Sequence, residues 1–170
     1  MNGISCAEAQ ACMQKLNGMM LVRYYRILDM ICMTFDDHVD TYNAEKEEYE
    51  DRFGIHAACW IRVVNSHRIL ASSEDKWVDE NHDPIDESEK HAVSLFDQEM
   101  ESAVKAIGHA AVEAIEVLPV GDIKMRFSNE ILMELFANSC GHDDYYEDWR
   151  FMSHPDDIHI SHSDNAFAVS

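Results

Sequence analysis

Between Val112 and Phe136 the pattern shifts to period two, clearest over Ile123 to Phe127, which restricts this part of the fold to paired strands. In "DIKMRFS", Ile123, Met125 and Phe127 face one way while Lys124 and Arg126 face the other, the period of a strand with one buried side. "VEAIEVLP" upstream reads as a second strand, ended by Pro119. "ILMELFANS" reads as a third, reached across Asn129 by an antiparallel turn. The segment therefore predicts a hairpin over Ile123 to Phe136 with Ile123, Met125 and Phe127 in the core.

The same signals recur elsewhere. "MMLVRYYRILDMICMTFDD" predicts two strands, over about 19–28 and 30–36, with Asp29 between two runs of β-formers. "FGIHAACWIRVVNSHRILASSEDKW" predicts strands over 54–64 and 68–72, joined at Asn65-Ser66-His67. "DWRFMS", "IHISH" and "AFAVS" close the chain as short strands. Helices are few. Ser5 and Glu8 stand at capping-box spacing, and Gly18 follows, which predicts a short helix over about 5–16. From 88 to 108, Ala92, Leu95, Phe96, Met100, Ala103, Val104 and Ile107 form one apolar stripe closed by Gly108, which predicts a long amphipathic helix. No repeat or linker interrupts the 170 residues, 46% of them apolar. The expectation is one α+β domain over 1–170: mostly antiparallel sheet, a short N-terminal helix and one long amphipathic helix.

Charge narrows the partners. Thirty-three acids against 13 bases give a formal net charge of −20. Such a chain repels phosphate and anionic membrane surfaces, so neither nucleic acid nor membrane is expected as a direct partner. It suits a basic protein, because complementary fields raise encounter rates by ~10–1000-fold. Asp36 to Asp51 carries eight acids against Lys46 alone, Asp79 to Glu89 carries six with no base, and "HDDYYEDWR" adds four more around two tyrosines. The last tract combines acids with residues enriched at binding hot spots. Partner binding is accordingly assigned to Asp143, Asp144, Tyr145, Tyr146, Glu147 and Asp148, with Asp79, Glu80, Asp83 and Asp86 as a second tract. Loop acids otherwise mean only solvation.

Chemistry is harder to find. His154, His159, His162, Cys140 and His142 cluster late, but no H-E-x-x-H or paired C-x-x-C organises them, so they read as surface histidines and no metal is expected. His159 and His162 fall on opposite faces of a strand. Cys59 sits before Trp60 in an apolar strand, where a small buried residue is expected rather than a nucleophile served by His56 or His67. Trp60 and Trp149 read as core. The five cysteines are odd in number and have apolar neighbours, as in a reduced cytoplasmic protein. Neither catalysis nor a cofactor is expected.

Three segments together resemble a known group. "LNGMMLVRYYRILDM" follows a pattern L-x-G-x-x-L-x-x-x-x-R-x-x-D-M. "GIHAACWIRVVNSHRILASSEDKW" is similar to L-H-x-x-C-x-W-R-I…R-I-L…S-x-D through Ile55, His56, Cys59, Trp60, Ile61 and Arg62, with the Cys-Trp spacing compressed and no intervening Pro. "EDWRF" is similar to a late E-x-W-R strand. These patterns resemble small bacterial immunity-type proteins of contact-dependent growth inhibition and polymorphic toxin systems. The resemblance implies binding and neutralising a cognate toxin, often a nuclease with a basic surface. Alternatives are an acidic anti-CRISPR or DNA-mimic inhibitor, or a small metal-dependent hydrolase using the His/Cys residues.

Overall fold

The computed structural model describes residues 2–39, 41–43, 45, 48–85, 93–138 and 147–170. Its strands, numbered along the chain, form two larger antiparallel sheets and a small hairpin. The first sheet has seven strands in the order β1 (Asn2–Ile4), β14 (Ala166–Val169), β13 (Ile158–Ser163), β12 (Trp149–Ser153), β6 (Phe53–Ala57), β3 (Met30–Asp36) and β2 (Met20–Ile27). The second has five: β8 (Ile69–Ser72), β7 (Trp60–Val64), β11 (Leu132–Phe136), β10 (Ile123–Phe127) and β9 (Val112–Val117). The hairpin pairs β4 (Tyr42–Asn43) with β5 (Glu48–Tyr49). Two helices, α1 (Cys6–Met13) and α2 (Leu95–Ile107), pack against the edges of the five-stranded sheet, on β9 and β8 respectively.

Alternation builds the core as expected. Ile123, Met125 and Phe127 are fully buried, and their inward neighbours Met133, Leu135, Ile61 and Val63 lie on the adjoining strands. They join a continuous apolar cluster with Ile31, Met33, Ile55 and Phe151 of the larger sheet and with Met13, Phe96 and Met100 of the helices.

Side-chain chemistry decides the helix ends. Glu8 N donates to Ser5 Oγ, and Ser5 N donates back to a Glu8 carboxylate oxygen at 2.8 Å, completing the capping box that starts α1. Gln10 then reaches sideways: its Nε2 donates to Ile115 O at 2.8 Å and its Oε1 accepts from Val117 N, so one amide closes the open edge of β9. The α2 helix is shorter than the sequence suggests, 13 residues rather than a span from 88. Ser94 and Asp97 form its capping box, and Asp97 also receives the Arg26 guanidinium from β2. Ala92 and the rest of 86–92 lie outside the described residues.

Two further expectations change. One antiparallel sheet is in fact two. The single strand over 54–64 breaks at Ala58-Cys59, where both backbone N–H groups donate to Asp148 O at 2.9 and 3.1 Å. The chain leaves the seven-stranded sheet there and enters the five-stranded one. Among the described residues no helix is long and apolar enough to cross a membrane.

Candidate functional site: an acidic cleft

The β3 strand ends at Asp36, and the chain then makes the β4–β5 hairpin before returning through Asp51 and Arg52 into β6. Two buried carboxyl groups pin that excursion. Asp36, only 3% exposed, accepts from His38 N and Arg52 N, tying the two ends together. Asp51 accepts from Thr41 Oγ1 at 2.6 Å and pairs with the Arg23 guanidinium. Arg23 in turn lies 3.8 Å over the Tyr49 ring, and Tyr49 meets Tyr42 edge-on with centroids 5.2 Å apart. Charge, hydrogen bonds and a cation–aromatic stack thus hold a two-strand hairpin that its own backbone could not stabilise.

The held hairpin encloses a cleft of about 660 Å³, lined by Asp36, Asp37, His38, Tyr42, Glu45, Glu50 and Arg52 among others. Asp36, Asp37, Glu45 and Glu50 bring four carboxyl groups to its lining and Arg52 one guanidinium. Arg52 pairs with Asp37, and Asn43 Nδ2 donates to Glu50 at 2.9 Å. A hydrogen bond with the Asp36 side chain holds the Asp37 carboxyl below the ordinary range, with Arg52 adding to the effect. Nothing here pairs a nucleophile with a base, and among the described residues no cluster of His, Cys, Asp and Glu is arranged to hold a metal ion. A cleft of this kind attracts a cation, above all a lysine or arginine side chain that can hydrogen-bond several carboxylates at once.

The residues assigned from sequence distribute differently. Asp143, Asp144, Tyr145, Tyr146 and Asp86 lie outside the described residues. Glu80 and Asp83 are exposed, while Asp79 turns inward on its own loop and accepts from the N–H groups of Asn81 and Asp83. Glu147 is half-buried and forms a two-pronged ion pair with Arg150. Asp148 cannot meet a partner at all: it is fully buried. The Asp36–Asp51 tract, ranked behind the others on sequence, lines a cleft among the described residues.

Asp148 instead belongs to a sealed polar cluster. Its Oδ2 lies 2.9 Å from His162 Nδ1, and its Oδ1 accepts from Asn138 N at 3.0 Å. His162 is therefore not a surface histidine but wholly buried, stacked on Trp149 with ring centroids 5.9 Å apart and edge-on to Phe167. Trp149 Nε1 donates to Gly121 O at 2.6 Å, joining the β9–β10 turn to the other sheet. Gly121 holds a φ of +92°, and a side chain there would overlap the His162 ring. The odd spacing of His159 and His162 did signal different surroundings, since His159 is only half-buried. No sequence signal marks the Asp148–His162 pair, because it depends on strands β12 and β13 pairing Trp149 with His162.

Cys59 lies beside this cluster, fully buried, and desolvation with the nearby Asp148 pushes its thiol up to about 12. A thiol so placed is a poor nucleophile. Trp149 is core, but Trp60 is not: it stands 49% exposed on the side of β7 away from the apolar cluster. His56 takes part in β6 as expected; burial, with Arg150 adding, lowers its pKa. Cys6, Cys12, Cys32 and Cys59 are free thiols. Melting curves recorded with a chelator and with a reductant should therefore overlay the untreated curve; a large drop with either would reveal a metal or disulfide holding the fold.

No protein-family model, curated protein or solved structure matches this chain.

Proposed function

We propose that this protein binds and neutralises a basic protein toxin, of the nuclease kind, by receiving a lysine or arginine side chain in the acidic cleft. The observation that carries the reading is the cleft itself: four carboxyl groups around about 660 Å³, braced from behind by Asp51 and Arg23, in a chain of net charge −20. A nuclease displays cations where it expects phosphates, and fixed carboxylates substitute for those phosphates. Tyr42 and Tyr49, about half exposed at the hairpin, supply area that gains value once desolvated. The resemblance to immunity-type proteins points the same way.

The test is kinetic, against a toxin encoded beside the gene. Replacing Asp37, Glu45 and Glu50 together by Asn, Gln and Gln should slow association by ~10-fold or more at low salt, and less as salt rises, because exposed charges are screened within ~8 Å at physiological ionic strength. Tyr42→Ala should mainly speed dissociation. Unchanged association of the charge variant at low salt would remove the cleft from the interface and return attention to Asp79, Glu80 and Asp83.

A further inference from the structure

The outward side of the five-stranded sheet carries bases and acids in equal number. With Ile61, Val63, Met133, Leu135, Ile123 and Met125 turned into the core, the alternate residues Arg62, Lys124 and Glu116 reach the surface, while Glu134 on the same side is only 7% exposed and pairs with Arg62. They stand opposite one another in a single row across β7, β11, β10 and β9. The row reads plus, minus, plus, minus. Arg62 Nη2 donates to Glu134 at 2.6 Å and lies 5.2 Å over the Phe136 ring, next to exposed Trp60. The neighbouring row sets Val64 and Leu132 beside Arg126, which pairs with Glu113. Three bases thus match three acids, so this face carries no net charge while the chain as a whole carries −20.

We infer that this face is where a second copy of the chain docks, forming a two-fold dimer. A chain of net charge −20 repels a copy of itself as a whole, whereas this face adds no net charge to that repulsion and leaves Trp60 exposed beside half-buried Val64 and Leu132. The alternating row is also self-complementary. A two-fold axis parallel to the strands, between β11 and β10, sets Arg62 of each copy against Glu116 of the other, as an isologous contact requires. A strongly basic partner finds no net attraction on this face, and nucleic acid is repelled by the rest of the chain. Five strands at ~4.8 Å spacing make a small contact, so the dimer belongs to the weak, concentration-dependent class. This contact is separate from the acidic cleft, and its failure would leave the cleft untouched.

Sedimentation velocity of the full chain, from micromolar to near-millimolar concentration, tests it. The native protein should move from monomer to dimer. Glu116→Arg makes the chain less acidic and would ease any unspecific self-association, yet it sets Arg against Arg62 of the second copy. It should weaken dimerisation by ~10-fold or more. Trp60→Ala should weaken it too, and Asp83→Arg, on a distant loop, should not. Should Glu116→Arg fail to fold, by its melting curve, Glu116→Gln removes the same contact with Arg62 of the second copy and should weaken dimerisation in the same direction. A native chain that stays monomeric throughout, or a dimer left intact or strengthened by the row variants, would overturn the inference.

Discussion

Asp148→Ala should lower the unfolding free energy by ~3–5 kcal/mol, the loss expected when one partner of a buried polar pair is removed. Among the described residues the carboxyl group accepts from the Asn138 N–H and pairs with His162 Nδ1, and the Asp148–His162 pair is sealed from water. Alanine leaves the buried His162 Nδ1 without this partner, at ~1–3 kcal/mol for an unsatisfied buried group. His162 is already short of a contact, since among the described residues its Nε2 meets no hydrogen-bond partner. Asp148→Asn retains one carbonyl oxygen and should fall between native and alanine. The backbone carbonyl that turns Ala58 and Cys59 survives either change, so the fold should persist in weakened form. Urea unfolding midpoints measure the series; an alanine variant within a few tenths of a kcal/mol of native would mean the pair contributes nothing to stability.

Phe127→Ala should cost a similar ~3–5 kcal/mol, for a different reason. Phe127 ends β10, wholly buried, with its backbone N–H donating to Ile131 O across the hairpin. Truncation removes most of a ring's contacts and leaves a cavity that two flanking strands cannot close. Arg126→Ala, one residue earlier on the exposed side, should stay within about 0.5 kcal/mol. That contrast between neighbours is the sharper readout. Equal effects from the two substitutions would contradict the assignment of faces.

What could be read in advance follows the range of the interactions involved. Strands β9, β10 and β11 were legible because alternation is local, and so was the start of α1, because Ser5 and Glu8 are three residues apart. The start of α2 was missed although Ser94 and Asp97 stand at the same spacing: the acids and Ala92 upstream continue a helical pattern that the capping box cuts off. The break between β6 and β7 could not be seen, since "HAACWIRV" is one apolar run and the group that turns it is the carbonyl of Asp148, on a distant strand. Trp60 was misplaced because its large apolar ring argued for the core, whereas strand parity puts it beside Arg62. The cleft was half legible. Its acids were counted, but only the pairing of Tyr42 with Tyr49 and the anchoring of Asp51 give them a shape.

The amide of Gln10 has a wider consequence for a chain so rich in strand. By occupying the free groups of β9, one side chain does what another strand would otherwise do, and α2 covers the opposite border at β8. The smaller sheet is therefore finished at both ends. The larger one is left with β1, three residues long, and with β2, whose register slips between Leu21 and Arg23 and whose arginines are held in ion pairs. Growth by adding a foreign strand has little to start from at either border, since short, bulged and charged edges make poor templates. Replacing Gln10 by leucine would leave the Ile115 carbonyl and the Val117 N–H without that amide at the border of β9, and the cost of the change would show first in the tendency of concentrated protein to form fibres.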